Sequence, residues 1–274
     1  MDFAEFERRF ILLEPLIRET GHQVREKRKT EQIDIIIKSD GSPVTNLDLY
    51  ANKRICTFIE ENFPGEVVIG EESDQKKYKP GTGLVWYVDP IDGTKAFIDG
   101  REGYFVLIGL CLNGVPVFGM ICQPEMDLLM YGWTGMPAMA ANGTSAAKVM
   151  KTEQPSWSQS SPIVMKAIGS EHRAYFQSRY NIARAPFQNE MIDMLGSLYG
   201  FSNGYISYRP TAYWDLCAPA ALLRASGYML AGEAGNDSVL FNDGTISTNF
   251  YYCLPPDTPD SFIKELRIRQ HNPY

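Results

Sequence analysis

The run from Tyr104 to Leu112 is apolar almost throughout, and it is followed by Asn113-Gly114 and a second run, Val115 to Cys122. Asn-Gly adopts at little cost the left-handed backbone that a two-residue hairpin turn demands. The segment therefore predicts two antiparallel strands joined by that turn. Leu128 to Tyr131 is a candidate further strand of the same sheet. The first of these runs is the longest apolar stretch in the chain, yet it is only strand-sized and contains Gly109, so no membrane-spanning helix is expected.

Around this hairpin the pattern is mixed. Phe6, Phe10, Leu13, Ile17 and Val24 recur at helical spacing and predict an amphipathic helix from Phe3 to about Arg28. Ile33 to Ile37 reads as a short strand, and Lys38-Ser-Asp-Gly-Ser-Pro43 as a surface loop. Thr45 is placed to cap a helix running to about Asn62. Val67 to Ile69 and Leu84 to Val88 predict strands that end at acidic residues, and the first half of the chain reads as antiparallel. Ala138 to Ser161 is rich in small and polar residues and reads as loose. Beyond it, strand (Ile163 to Ile168), helix (Glu171 to Arg179), helix (Asn189 to Ser202), strand (Tyr205 to Tyr208), helix (Trp214 to Ser226), strand and a last helix from Pro259 alternate as in an α/β unit. No repeat or long linker divides the chain. The expected organisation is an N-terminal α+β subdomain, residues 1–150, and a C-terminal α/β subdomain, residues 151–274.

Composition narrows the function classes. At 274 residues with 44% hydrophobic and 22% charged residues, the chain is long enough to bury a core without disulfides or a structural metal. Twenty-six Lys and Arg against 33 Asp and Glu give a net charge of −7, which opposes a polyanionic nucleic acid or an anionic membrane as main partner. Cys56, Cys111, Cys122, Cys217 and Cys253 have no paired spacing, and the N-terminus is charged from its second residue. Buried free thiols, no signal peptide and a cytoplasmic location are expected.

The chemistry concentrates in Glu71, Glu72, Asp89, Asp92 and Asp215. Asp89-Pro-Ile-Asp-Gly-Thr94 sets two carboxylates three residues apart across a Pro-then-Gly turn, so both, with the Ile91 carbonyl, can face one point. An all-oxygen set without nearby His or Cys selects Mg²⁺, Mn²⁺ or Ca²⁺ over zinc. Taken singly, each piece has a simpler reading: a surface turn at 89–94, a solvated loop at 70–73, and a helix N-cap at Asp215. No GxSxG or HExxH motif supports serine or zinc hydrolysis, and the chain has only 3 His.

Taken together, GEES at 70–73, WYVDPIDGTKAFI at 86–98 and WDLCAPAALLRASG at 214–227 resemble the inositol monophosphatase superfamily of Mg²⁺-dependent, lithium-sensitive phosphomonoesterases, over about Lys38 to Gly227. The resemblance implies an α/β fold, a layered α/β/α/β/α sandwich. It implies metal ligands at Glu71, Asp89, the Ile91 carbonyl, Asp92 and Asp215, holding two or three Mg²⁺ for which Mn²⁺ can substitute. Thr94 with an acidic partner, Asp48 or Glu71, would orient the attacking water. Gly93, Thr94, Lys95, His172 and Arg209 would bind the phosphate or the substrate, a small-molecule phosphate ester. A monomer or homodimer is expected.

Lys38 to Asp48, the DGTKAFI form of the central motif and Trp214-Asp-Leu-Cys-Ala-Pro219 look like the 3′(2′),5′-bisphosphate nucleotidase branch. Tyr208 stands where inositol monophosphatases carry a sugar-binding Glu. The chain also departs from the nucleotidase pattern: Gly169-Ser170-Glu171-His172 replaces a Ser-Arg-Ser-His run, and Asn189-Glu190 replaces a Gly-Ser pair. Arg209 and Arg184 are the candidates to supply the missing positive charge. An inositol phosphate phosphatase or histidinol phosphatase is the alternative reading.

Overall fold

The computed structural model describes residues 1–74, 83–185, 190–232, 241 and 245–270. The chain opens with α1 (Phe3–Thr30), whose first turn is capped by Asp2 accepting from the Glu5 amide at 2.9 Å. It continues through β1 (Ile35–Ile37), β2 (Pro43–Thr45), α2 (Asn46–Asn62), β3 (Val67–Gly70), β4 (Leu84–Asp92) and α3 (Thr94–Ile98). Then come β5 (Phe105–Leu112), β6 (Val115–Gln123), β7 (Leu128–Trp133), β8 (Met136–Asn142), β9 (Lys148–Val149), β10 (Ile163–Lys166), α4 (Ser170–Gln177) and β11 (Ile182–Ala183). The last elements are α5 (Glu190–Leu195), β12 (Tyr205–Ser207), β13 (Thr211–Ala212), α6 (Tyr213–Ala225), β14 (Met229–Gly232), β15 (Ser247–Thr248), β16 (Tyr251–Leu254) and α7 (Asp260–Gln270).

Strands β3 to β9 form one sheet in sequence order, and a second sheet runs β11-β10-β12-β16-β14. Side chains alternate across a strand, and both faces of the first sheet are apolar. Trp86, Val88, Val106, Ile108 and Phe118 pack under Phe6, Leu13 and Ile17 of α1 and Ile55 and Ile59 of α2. From the other face, Val85, Tyr87, Phe105 and Leu107 meet α6, and Val164, Tyr205, Tyr251 and Cys253 of the second sheet close over it. Phe176 of α4 and Phe262 and Leu266 of α7 cover the outside of that second sheet. The order of layers is thus α/β/α/β/α. Asn113 (φ 52°) and Gly114 (φ 77°) make the expected hairpin turn.

Several expectations change. The first sheet is not antiparallel throughout: β3 pairs with β4 in parallel, which brings the ends of both strands to one edge. The 138–161 stretch contains strands β8 and β9, since alternating small residues can line a sheet as well as a loop. Residues 43–45 pair antiparallel with β1 instead of ending a surface loop. The helix expected over 189–202 is short: α5 runs Glu190–Leu195, followed by turns, and residue 189 lies outside the described residues.

Helix α6 reaches the sheet because two glycines leave room for it. A methyl group on Gly109 would stand 2.6 Å from the Cys217 sulfur and 2.7 Å from the Ala218 nitrogen, and one on Gly119 would stand 2.4 Å from the Ala218 oxygen. Gly109→Ala should therefore push α6 off the sheet and destabilise the fold by about 1–3 kcal/mol, the usual cost of overpacking. Denaturant melts measure the loss, and an unchanged midpoint would show that the helix seat is not tight.

Candidate active site

Residues three apart on a regular strand point to opposite faces, so Asp89 and Asp92 would be separated if β4 were ideal. It is not: between the pairs Asp89 with Leu107 and Asp92 with Phe105 the register slips, with three steps on β4 against two on β5. That bulge returns Asp92 to the side of Asp89. Asp215, in the first turn of α6, comes in from the next layer. One carboxylate oxygen from each of Asp89, Asp92 and Asp215 lies within 4.8 Å of the others. Asp215 is not the N-cap that its position before the helix suggested. Ala212 takes that place without a side-chain cap, leaving the Asp215 carboxylate for the cluster.

Glu71 follows β3 and extends its parallel pairing, its amide donating to the Val88 carbonyl at 3.0 Å. Its carboxylate stands outside the three-Asp group and takes a hydrogen bond from Lys38 Nζ at 2.8 Å, while the same ammonium also binds Glu72. Burial lowers the Lys38 proton affinity, but its bonds to both glutamates outweigh that and raise it.

The turn after β4 is shaped by Gly93, which takes φ 87° and lies so close to the 103–104 backbone that a Cβ would stand 2.7 Å from the Gly103 oxygen. A side chain there would be both strained and obstructed. Gly93 is the N-cap of α3, so Thr94 is inside the helix and is not its cap. The Thr94 hydroxyl lies 3.3 Å from Asp48 Oδ1 and 3.1 Å from the Ile91 carbonyl, either of which can accept its one proton. Asp48 is fully buried in a capping box at the start of α2. Its Oδ2 accepts from the Thr45 amide at 2.8 Å and from the Thr45 hydroxyl, which orients Oδ1 toward Thr94.

The field of this site is strongly negative. Burial, then repulsion from Glu71, Asp92 and Asp215, pushes the Asp89 carboxyl well above its usual range. Asp215 is raised by burial and by Asp92 and Glu71. Asp92 is pushed up to about 7 by burial, then by Glu71 and Glu190, with Arg209 opposing. Asp48 is raised, chiefly by burial. A set of buried and half-buried oxygen donors that repel one another fits a hard divalent cation, whose charge would replace the missing protons.

The substrate-side expectations fare unevenly. Arg209 lies near Asp92 but is tied to Glu190 at 2.8 Å, and Glu190 also accepts from Tyr205 at 3.3 Å. Tyr208 does not face the site: it is buried, with its hydroxyl donating to the Leu266 carbonyl at 3.3 Å. Lys95 is exposed on α3, and Arg184 is exposed beside β11. His172 lies on α4, its Nδ1 buried with no hydrogen-bond partner among the described residues. Lys38 and Glu190 stand in segments set against the family pattern, but neither is among the site residues expected from it. Their charge partners are 33 and 19 residues away, and no local pattern announces such pairs.

The profile of the inositol monophosphatase family matches residues 8–270. The chain is 35% identical over 128 residues to the bifunctional phosphatase IMPL2 of Arabidopsis thaliana, covering 47% of this chain and 36% of that protein. It is 34% identical over 137 residues to the inositol-1-monophosphatase of Bacillus subtilis, covering 50% of this chain and 51% of that protein. These two matches thus span about a third to a half of the relatives' own lengths. Over a longer stretch, 83% of this chain and 86% of the relative, it is 25% identical to 3′(2′),5′-bisphosphate nucleotidase 1 of Dictyostelium discoideum. An IMPase structure from Thermotoga maritima superposes with a TM-score of 0.71 at 18% identity over 95% of this chain and 97% of that one, which shows the shared fold.

A carboxyl group whose native pKa is raised binds its proton more tightly folded than unfolded. Its stabilisation is present at low pH and is lost as pH rises from the unfolded value near 4 through the folded one. For Asp92 that window closes at about 7. In EDTA, the melting temperature should fall as pH climbs through this window, and Asp92→Asn should flatten the fall. Each kcal/mol regained should raise the midpoint by roughly 2–4 °C. Millimolar Mg²⁺ should raise wild type more than the variant. Identical pH profiles for the two proteins would show that Asp92 does not carry this repulsion.

Proposed function

The chain belongs to the inositol monophosphatase family, whose members are phosphatases, and from that premise we propose that it is a Mg²⁺-dependent phosphomonoesterase centred on Asp89, Asp92 and Asp215. The single observation that carries this reading is the convergence of those three carboxylates within 4.8 Å on a bulged strand and a helix of the next layer. Asp89, Asp92, Asp215, Glu71 and the Ile91 carbonyl would hold the metal. Once bound, Mg²⁺ supplies the positive charge that shields a phosphate and acidifies water.

The protein's own groups do the rest. If the Thr94 proton goes to Asp48 Oδ1, 3.3 Å away, the threonine oxygen is free to accept from the attacking water and to hold it for in-line approach. Asp48, buried and fixed by Thr45, receives that proton without moving. The Gly93–Lys95 turn, open at the mouth of β4, would take the phosphate. His172, on α4, is assigned no step.

For the substrate we adopt the 3′(2′),5′-bisphosphate nucleotidase reading, with adenosine 3′,5′-bisphosphate giving AMP and phosphate. It is supported by the 38–48, 86–98 and 214–219 segments and by the long match to the Dictyostelium nucleotidase. Arg209, which acts electrostatically on Asp92, is the candidate to meet a second phosphate. One observation favours a second reading: Glu190, which binds Arg209 and pushes on Asp92, suits a leaving group rich in hydroxyls or bearing an amine, such as an inositol or histidinol monophosphate. Phosphate release measured across adenosine 3′,5′-bisphosphate, inositol 1-phosphate and histidinol phosphate decides between the two. The highest kcat/KM on the bisphosphate is expected; a preference for either monophosphate would transfer the assignment.

Activity should vanish in EDTA and return with millimolar Mg²⁺, and turnover that survives chelation would remove the metal from the reaction. Lithium at millimolar concentration should inhibit. Thr94→Ala should lower kcat by roughly 10²- to 10⁴-fold, the worth of positioned proton transfer, with little change in the Mg²⁺ midpoint. Asp48→Asn should resemble it, and the double variant should lose little beyond either single, because groups acting as one unit are not additive. Fully multiplicative losses would break the pairing.

A further inference from the structure

Helix α3, which carries Thr94, is one short turn, too brief to hold its own direction. It sits on a small apolar cluster of its own, Val24, Leu47, Ala51, Ile91, Phe97 and Tyr104, distinct from the larger cores. Its far end is held by the C-terminal part of α1. Arg28 Nη1 donates to the carbonyls of Phe97 at 3.3 Å and Arg101 at 3.0 Å, and Nη2 donates to Glu125 Oε1 at 2.8 Å. Tyr104, fully buried, donates its hydroxyl to the same Glu125 oxygen at 2.8 Å. The guanidinium lies 5.3 Å from the centre of the Phe97 ring and 5.0 Å from that of Tyr104.

These contacts form a chain from Arg28 to the reacting centre. Phe97 presents its carbonyl to Arg28, its ring to the cluster and its amide to the Gly93 carbonyl at 3.0 Å. Gly93 immediately precedes Thr94 and is backed against Gly103, next to Tyr104. Arg28 thus grips the end of α3 and the middle of the loop that runs from it back to β5. The ion pair with Glu125 is mostly buried, at 12% and 14% side-chain exposure, so solvent competes with it weakly. A forked guanidinium is needed, because an ammonium cannot reach two carbonyls and a carboxylate in fixed directions.

We propose that Arg28 is a positioning residue for turnover: tied to Glu125, it fixes α3 so that the Thr94 hydroxyl stays on Asp48. The proposal rests on the phosphomonoesterase reading above. It assigns Arg28 no contact with metal or substrate. Its loss should therefore lower kcat and leave KM and the metal midpoint alone.

The test uses Arg28→Met, Arg28→Lys, Thr94→Ala and the Arg28→Met/Thr94→Ala double variant, with kcat, KM, Mg²⁺ midpoint and melting temperature measured on each. Arg28→Met should lower kcat by about tenfold, since a displacement well under an ångström is enough to cost that much. KM and the Mg²⁺ midpoint should stay within about twofold, a small fraction of the tenfold unit of barrier. Arg28→Lys should recover only part of the rate. In the Thr94→Ala background Arg28→Met should cost no further rate, because the group it positions is gone. Amide hydrogen exchange gives a readout that needs no activity: in Arg28→Met the Phe97 and Asp99 amides should exchange about tenfold faster while those of α2 are unchanged. The same fold-loss of rate with and without Thr94, full rescue by lysine, or a lower melting temperature at unchanged kcat would overturn the proposal. Unchanged exchange at 97 and 99 would overturn it as well. If wild type releases no phosphate from any ester tried, the phosphatase reading falls, and hydrogen exchange still decides whether Arg28 holds α3.

Discussion

Three carboxylates brought within 4.8 Å, one buried and two half-buried, repel one another, and the fold has to bear that repulsion. Much of the molecule can be read as the support for this unfavourable meeting. Asp89 and Asp92 belong to β4, whose backbone is pinned on one side by β3 and on the other by the long pairing with β5. Asp215 belongs to α6, which is buried between two sheets and cannot turn away. Charges on mobile loops would separate; charges on a strand and a helix of two packed layers cannot. A divalent cation would convert the same arrangement from a cost into a binding site.

The supports are specific. Gly109 and Gly119 let the Cys217–Ala218 backbone of α6 approach the sheet within ordinary contact distance, and the helix start, with Asp215, is placed by that approach. The bulge in β4 changes the side to which Asp92 points. Asp48 is held by the same capping box that begins α2, so one carboxylate both caps the start of that helix and faces Thr94. Near it, Lys38 pairs with both Glu71 and Glu72 and offsets part of their charge, while Glu71 still adds to the repulsion among the aspartates.

Below Thr94 the construction is different. A separate apolar cluster, bounded by Arg28 and Glu125, carries the short helix α3. That cluster gives Thr94 a support of its own, joined to the aspartates through Ile91 of β4. On the substrate side, Glu190 and Arg209 set one negative and one positive charge within reach of Asp92. In this chain Glu190 stands where the resembled nucleotidase branch carries a small Gly-Ser pair, so a negative charge faces Arg209 there.

What the sequence determined by itself was local or carried in contiguous motifs. The hairpin followed from Asn113-Gly114 between two apolar runs, the start of α2 from Thr45, and the acidic turn from Asp89 to Thr94, because turn and cap preferences act over a few residues. The family was legible for the same reason, since its motifs are unbroken runs. Tertiary structure alone decided the parallel pairing of β3 with β4, the strands within 136–149, and the inward face of Tyr208, which a position count had set beside the site. It also decided the register shift by which Asp89 and Asp92 come to share the side that their turn predicts, that Lys38 meets Glu71, and that Arg28 grips α3. Each of these depends on a register shift or on a contact between residues tens of positions apart. No preference of a single residue encodes such a contact; only the packing of the layers, which buries the apolar faces first and then fixes where the charges stand, selects it.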